Sequence, residues 1–180
     1  MTTDFSSIIN DFVETEKQEL EKLKPIANKI GCFKSVTISS SSTLELSKFK
    51  IKNVLYFLTL DPSESLTAST ISKNISKEKA DESSSLKLPQ VNPIEFSSTE
   101  RVIYVGKSKN LFSNRLKAHL GEASEKTYAL HLNRWKKIVG KEVELILHYA
   151  SIDKITDKQL ELLETALHYK LKPILGRSGH

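Results

Sequence analysis

Two short apolar runs, "NVLYFLTL" at residues 53–60 and "ERVIYVG" at 100–106, constrain this chain more than any other feature. Both are rich in β-branched and aromatic residues, the composition of buried strands. The second ends at Gly106 and leads into "NLFSNRLKAHL", where apolar residues return at helical spacing. Residues 61–99 between them are mainly Ser, Lys, Glu and Pro with few large apolar side chains, so they are expected to form a mobile insertion. Closing a loop of about 45 residues instead of about ten costs only roughly 1.3 kcal/mol. The two strands can therefore pair across it.

The other elements follow from periodicity. Phe5, Ile9, Phe12, Val13, Leu20, Leu23, Ala27 and Ile30 recur at three- and four-residue steps, giving a helix over 4–30 with Gly31 as its stop. Pro25 is expected to kink it or end it early. "SVTIS" holds a short strand within the serine-broken 33–52 stretch. After Gly106 the pattern predicts a helix over 108–120, capped by Ser108 or Asn110 and stopped by Gly121. A helix over 124–139 is expected to carry Tyr128, His131, Leu132, Trp135 and Ile138 on one side. A strand over 142–150 and a helix over 156–171 complete the chain. The order β-β-α-α-β-α predicts an α/β fold of the α+β kind: a small, largely antiparallel three-stranded sheet flanked by helices, with an added N-terminal helix. Residues 1–52 are expected to be a helical extension and 53–180 the main domain.

Charge is unevenly spread. The net charge is +5, yet residues 1–99 hold 12 basic against 13 acidic side chains while residues 100–180 hold 15 against 9. A positive bias confined to one part fits a phosphate-rich partner, although ordinary surface lysines produce the same count. Cys32 is the single cysteine, which excludes an internal disulfide framework and a cysteine-based zinc site. No apolar run approaches the roughly 18 residues of a membrane span, and "MTTDFSSIINDF" lacks the basic start of a signal peptide. A cytoplasmic protein with no membrane partner is expected.

Some polar residues stand where apolar ones belong. At 100° per residue, Phe112, Leu116 and His119 share one helix face and Arg115 lies beside Phe112. A buried guanidinium needs a partner, which is either a structural carboxylate or an anionic ligand. On the last helix Leu160, Leu163, Leu167 and Leu171 form a stripe with Glu164 close to its centre. Glu164 is either a boundary glutamate or, beside an inward Arg, an inward His and strand tyrosines, a ligand for a hard cation.

Tyr56 in "VLY", "YVG" at 104–106, Arg115 and His119 on the next helix and Glu164 on a later one resemble, in this order, the pattern of the GIY-YIG nuclease superfamily. "YVGKSKNL" is especially similar to the form found in excision-repair subunits. The resemblance covers residues 53–60 and 101–176. Four departures accompany it: Val54 replaces a glycine, the interval before "YVG" is much longer than usual, Arg115 stands one position later, and no residue after Pro173 in "KPILGRSGH" matches the family's asparagine.

The resemblance implies a divalent-metal-dependent endonuclease acting on DNA, double-stranded by expectation and restriction- or defence-like in role. It implies Mg²⁺ or Mn²⁺ held by Glu164, Arg115 on the scissile phosphate, Tyr56 as general base, Tyr104 orienting water or phosphate, and His119 accepting or relaying a proton. A free tyrosine is ionised only about 0.2% at pH 7.3, so nearby positive charge from Lys107, Arg115 or the metal has to favour the phenolate. Lys107, Lys109, Arg115, Arg134, Lys136, Lys137 and Arg177 are the expected nucleic-acid contacts. His131 is expected on a helix face and His148 and His168 at the surface. The N-terminal helix is expected to support a homodimer. A non-catalytic nucleic-acid-binding module on the same fold and an RNA-cleaving toxin are the alternatives.

Overall fold

In the computed structural model, which describes residues 5–29, 33–40, 44–93 and 101–177, the two apolar runs pair side by side. The elements are α1 (Phe5–Lys29), β1 (Lys34–Ser39), β2 (Val54–Leu60), α2 (Ala68–Ala80), β3 (Val102–Ser108), α3 (Phe112–Leu120), α4 (Trp135–Val139), β4 (Glu144–Ser151) and α5 (Asp157–Leu171). The fold is α+β with an antiparallel sheet, as the sequence predicts. The sheet has a fourth strand, because "KSVTIS" pairs with β4 to give the order β1-β4-β2-β3. Strand β2 is paired along both edges and packed against on both faces, by the main core and by the cluster around Leu160, which is why its sequence does not alternate. Strand β1 lies at an edge and buries only Ile38.

Each face of the sheet has its own cover. Val54, Tyr56, Leu58 and Leu60 point into the main core with Phe112, Leu116 and Trp135, under α3 and α4. Leu55 points to the other face, where Ile152 and Leu160 bring α5 against it and α1 packs outside α5. Thr156 caps α5 in a reciprocal capping box with Gln159, and left-handed Gly121 ends α3 through its N–H to the Ala118 carbonyl.

The structure corrects several local expectations. The expected mobile insertion contains α2, capped by Thr67 and buried through Ala68, Ile71, Ser72 and Ile75, while Leu88 joins the same core. Three apolar residues at helical spacing outweigh a polar composition once they have a core to enter; residues 94–100 lie outside the described part. No helix spans 124–139. Thr127 closes a turn on Ser124, His131 is left-handed, and a 3₁₀ turn at Leu132–Arg134 leads into α4. Helix α3 begins at Phe112 after Leu111, not at Ser108 or Asn110, and α1 continues past Pro25 to Lys29. Gly31 and Ile30 lie outside the described residues. His168 is buried rather than at the surface, and His131 is buried in a left-handed turn rather than on a helix face.

If α2 belongs to the core, Ile71→Ala and Ile75→Ala will each destabilise the protein by about 2–4 kcal/mol. Urea unfolding checks this: an insertion that merely rides on the surface would leave the midpoint unchanged.

Candidate active site

The register between β2 and β3 places Tyr56 opposite Gly106. A Cβ on Gly106 would lie 2.6 Å from Tyr56 Oη and 2.7 Å from Tyr104 Cε1, so only glycine lets both phenol rings lie across this point. Gly176, with φ +104°, plays a similar part on the other side of Tyr104, where a Cβ would stand 3.0 Å from the ring. The two rings are thereby held with centroids 6.1 Å apart and their hydroxyls toward α3.

Helix α3 brings Arg115 and His119 to those hydroxyls. Arg115 Nε donates to Tyr56 Oη at 3.2 Å, Nη2 to Tyr104 Oη at 2.9 Å and Nη1 to the Tyr128 carbonyl at 3.0 Å. Three of its five N–H groups thus meet neutral oxygens, and the guanidinium keeps its full charge. The Tyr56 oxygen beside it raises its pKa further.

His119 is buried, with Nε2 2.7 Å from Tyr56 Oη. Its tautomer follows from its other nitrogen. The Leu130 N–H donates to Nδ1 at 3.2 Å, so Nδ1 carries no proton and the neutral ring carries its proton on Nε2. Nε2–H therefore donates to Tyr56. Burial, then the charges of Arg115 and His131, hold the imidazole pKa well below its usual value. Tyr56 Oη consequently receives two N–H groups, an arrangement that suits a phenolate. Burial acts the other way and pushes the Tyr56 pKa well up, with Arg115 opposing it. In this conformation His119 is placed as a donor to Tyr56 and not as the acceptor of its proton.

Tyr104, Lys107, Arg115 and Glu164 line a cleft of about 690 Å³ along the outer side of β3, whereas fully buried Tyr56 lies behind Tyr104. Glu164 comes from α5, and its Oε2 accepts from Lys107 Nζ at 2.7 Å. Burial raises the Glu164 pKa, and the hydrogen bond and charge of Lys107 act against that rise. Among the described residues no three His, Cys, Asp or Glu side chains converge on one point. One carboxylate beside a roomy cleft fits Mg²⁺ or Mn²⁺, hard cations that retain waters and share substrate phosphate oxygens.

Of the other expected contacts, Lys109 and Arg177 also line the cleft. Arg134 pairs with Glu125 at 2.7 Å and Lys136 with Glu142 at 3.0 Å, and neither they nor Lys137 line it. His148 stacks on Phe57 within the sheet. Lys79, Gln90 and Tyr128 do line the cleft and were not among the expected residues. Their signal in the sequence is small: Lys79 and Gln90 sit in the polar insertion, and Tyr128 sits in a stretch whose apolar spacing imitates a helix.

Two outcomes follow. Long-range ¹H–¹⁵N spectra will show the His119 proton on Nε2; a proton on Nδ1 would make Tyr56 the donor of the shared hydrogen bond instead. Because the unfolded imidazole takes up a proton below about pH 6.5 and the folded one does not, His119 contributes no pH dependence above that value. As pH falls below it, folded-state stability decreases by up to about 1.4 kcal/mol per unit until the folded pKa is reached. Denaturation midpoints between pH 7 and 5 will fall less steeply in His119→Gln than in the native chain. Compared with known proteins, the chain matches no protein-family model, no curated protein and no solved structure.

Proposed function

We propose that the chain is a divalent-metal-dependent endonuclease of the GIY-YIG type, hydrolysing phosphodiester bonds of double-stranded DNA in a restriction- or defence-like role. One observation carries the reading. Tyr104, Arg115 and Glu164, from three separate elements, line one cleft, five of whose eleven lining residues are Lys or Arg, and buried Tyr56 stands behind them with its hydroxyl bonded to both Arg115 and His119.

The chemistry follows from what each group can do there. Arg115 has two N–H groups beyond those committed to Tyr56, Tyr104 and the Tyr128 carbonyl, enough for a bidentate hold on a phosphate. Tyr104, at the cleft surface, orients the attacking water. Tyr56 Oη accepts the water's proton, and the N–H groups of His119 and Arg115 already directed at that oxygen stabilise the phenolate from which it acts. A cation on Glu164 would supply positive charge for the phosphate and the leaving oxygen. Lys107 has to yield Oε2, or share it, when that cation binds.

The Lys107–Glu164 pair also favours the second reading, a module that binds nucleic acid without cutting it, since it already satisfies the carboxylate. Supercoiled plasmid with Mg²⁺, Mn²⁺ or EDTA decides between them. Metal-dependent cutting is expected, falling at least about 100-fold in Glu164→Ala and Arg115→Ala, with the rate rising tenfold per pH unit through neutrality as the phenolate fraction grows. Tyr56→Phe should lose that rise. If Tyr104→Phe loses it instead, Tyr104 is the base. Binding without cleavage in either metal would leave the module, and cutting confined to RNA would make the protein a ribonuclease.

A second copy is the partner proposed for α1, whose Ile9, Val13 and Leu20 are exposed while Leu23 is buried. Light scattering at micromolar concentration should give a dimer mass; a monomer mass excludes it.

A further inference from the structure

Strand β3 is not the outer limit of the site. The Leu175 N–H donates to the Ile103 carbonyl at 2.9 Å, and the Gly176 N–H to the Gln90 carbonyl at 2.8 Å. Val91 bridges Leu175 in turn, and Asn92 Nδ2 donates to the Pro173 carbonyl at 2.8 Å. These bonds tie the end of the insertion to the C-terminal segment and tie both to Tyr104. The wall of the cleft that faces Tyr104 is therefore fixed to the same sheet as the tyrosines.

That wall carries two cations. Lys79, in the last turn of α2, donates from Nζ to the Pro89 carbonyl at 2.9 Å and the Leu88 carbonyl at 3.5 Å. Arg177 Nε donates to Gln90 Oε1. Among the described residues, the side-chain partners of both are neutral oxygens, whereas Lys107 and Lys109 on the opposite wall pair with Glu164 and Asp157. The two wall cations are tethered to consecutive residues, Pro89 and Gln90, and line the same cleft. Placing like charges together costs energy that an anion between them would return. Neutral tethers hold both heads in place, and among the described residues Arg177 is bonded through Nε alone.

We propose that Lys79 and Arg177, with Gln90 holding Arg177 in place, form a second phosphate subsite, which takes a phosphate neighbouring the one at Arg115 on the same polynucleotide strand. This rests on the nuclease reading for the identity of the first phosphate. The ligand is accordingly a chain with consecutive phosphodiesters and not a mononucleotide. The insertion acquires a purpose: it supplies the distal wall that sets the strand's position. Lys79 as a mere strap on the Leu88 and Pro89 carbonyls is the competing account.

Binding of a fluorescent duplex oligonucleotide, measured by anisotropy in EDTA across salt concentrations, separates the two. Lys79→Gln and Arg177→Gln should each lower the slope of log K against log salt by about one, and the double variant by about two. Lys48→Gln, outside the cleft and paired with Glu45, should leave it unchanged. Arg177 is exposed at the end of the described chain, so its variant tests the subsite even if Lys79→Gln folds poorly. Wild-type slopes in both single variants overturn the subsite while leaving the nuclease reading intact. Reduced slopes in a protein that cuts no plasmid keep the subsite and remove catalysis. A wild-type chain that binds no duplex at low salt overturns both.

Discussion

A missing methyl group governs this structure. Gly106 sits across the sheet from Tyr56, and any side chain there would collide with the hydroxyl end of that ring and with Tyr104. With hydrogen in its place, two phenols can lean over the same backbone and present their oxygens to α3. Arg115 and His119 then have partners on a helix face that should otherwise be apolar. The guanidinium is kept by three neutral acceptors, which satisfy its hydrogen-bonding geometry without cancelling its charge. A structural ion pair would have done the reverse. What remains is a fixed positive charge at the edge of a cleft, with a carboxylate of opposite sign on the helix across β3.

The polar cluster spans two cores. Tyr56 and His119 belong to the face under α3 and α4, whereas Glu164 comes from α5, whose Leu160 packs on the other face. Strand β3 joins them, because neighbouring residues on a strand point to opposite sides: Gly106 faces the tyrosines and Lys107 reaches Glu164. The cleft runs along this strand for that reason. Moving any one element would break the hydrogen bonds that link Tyr56, Tyr104, Arg115 and His119 or the ion pair between Lys107 and Glu164.

Arg115, His119 and Glu164 stood out in the sequence because each puts a polar group on an apolar helix face, whereas Tyr56 and Tyr104 read as ordinary strand aromatics and joined them only through the family resemblance. Strands β2, β3 and β4 were legible for the reason that buried β-branched runs have few alternatives. Helix α2 was not, since Ile71 and Ile75 give only two turns of signal within a Ser- and Lys-rich stretch, and a short helix depends on the core it meets. The segment at 124–139 misled in the other direction. Leu132, Trp135 and Ile138 have helical spacing, but the Leu130 N–H is taken by His119 and the Leu130 carbonyl by Trp135 Nε1. Backbone groups engaged by side chains leave no trace in the sequence, and the tautomer of His119 is invisible for the same reason.

The strand order sets when this architecture can come into being. Strand β4 lies between β1 and β2, and Leu147 is at once the partner of Val36 and of Leu58. On a ribosome, β1 and β2 emerge long before the strand that joins them, and β2 can meet β3 only after the whole insertion has been made. Until β4 appears, the apolar runs that open the domain have no complete sheet to enter, and their exposure must be borne by the nascent chain or by chaperones. Glu164 arrives later still. The cleft is therefore completed by α5 and the segment that follows it, so a chain interrupted before α5 would retain its tyrosines and Arg115 without the carboxylate opposite them or the wall that carries Arg177.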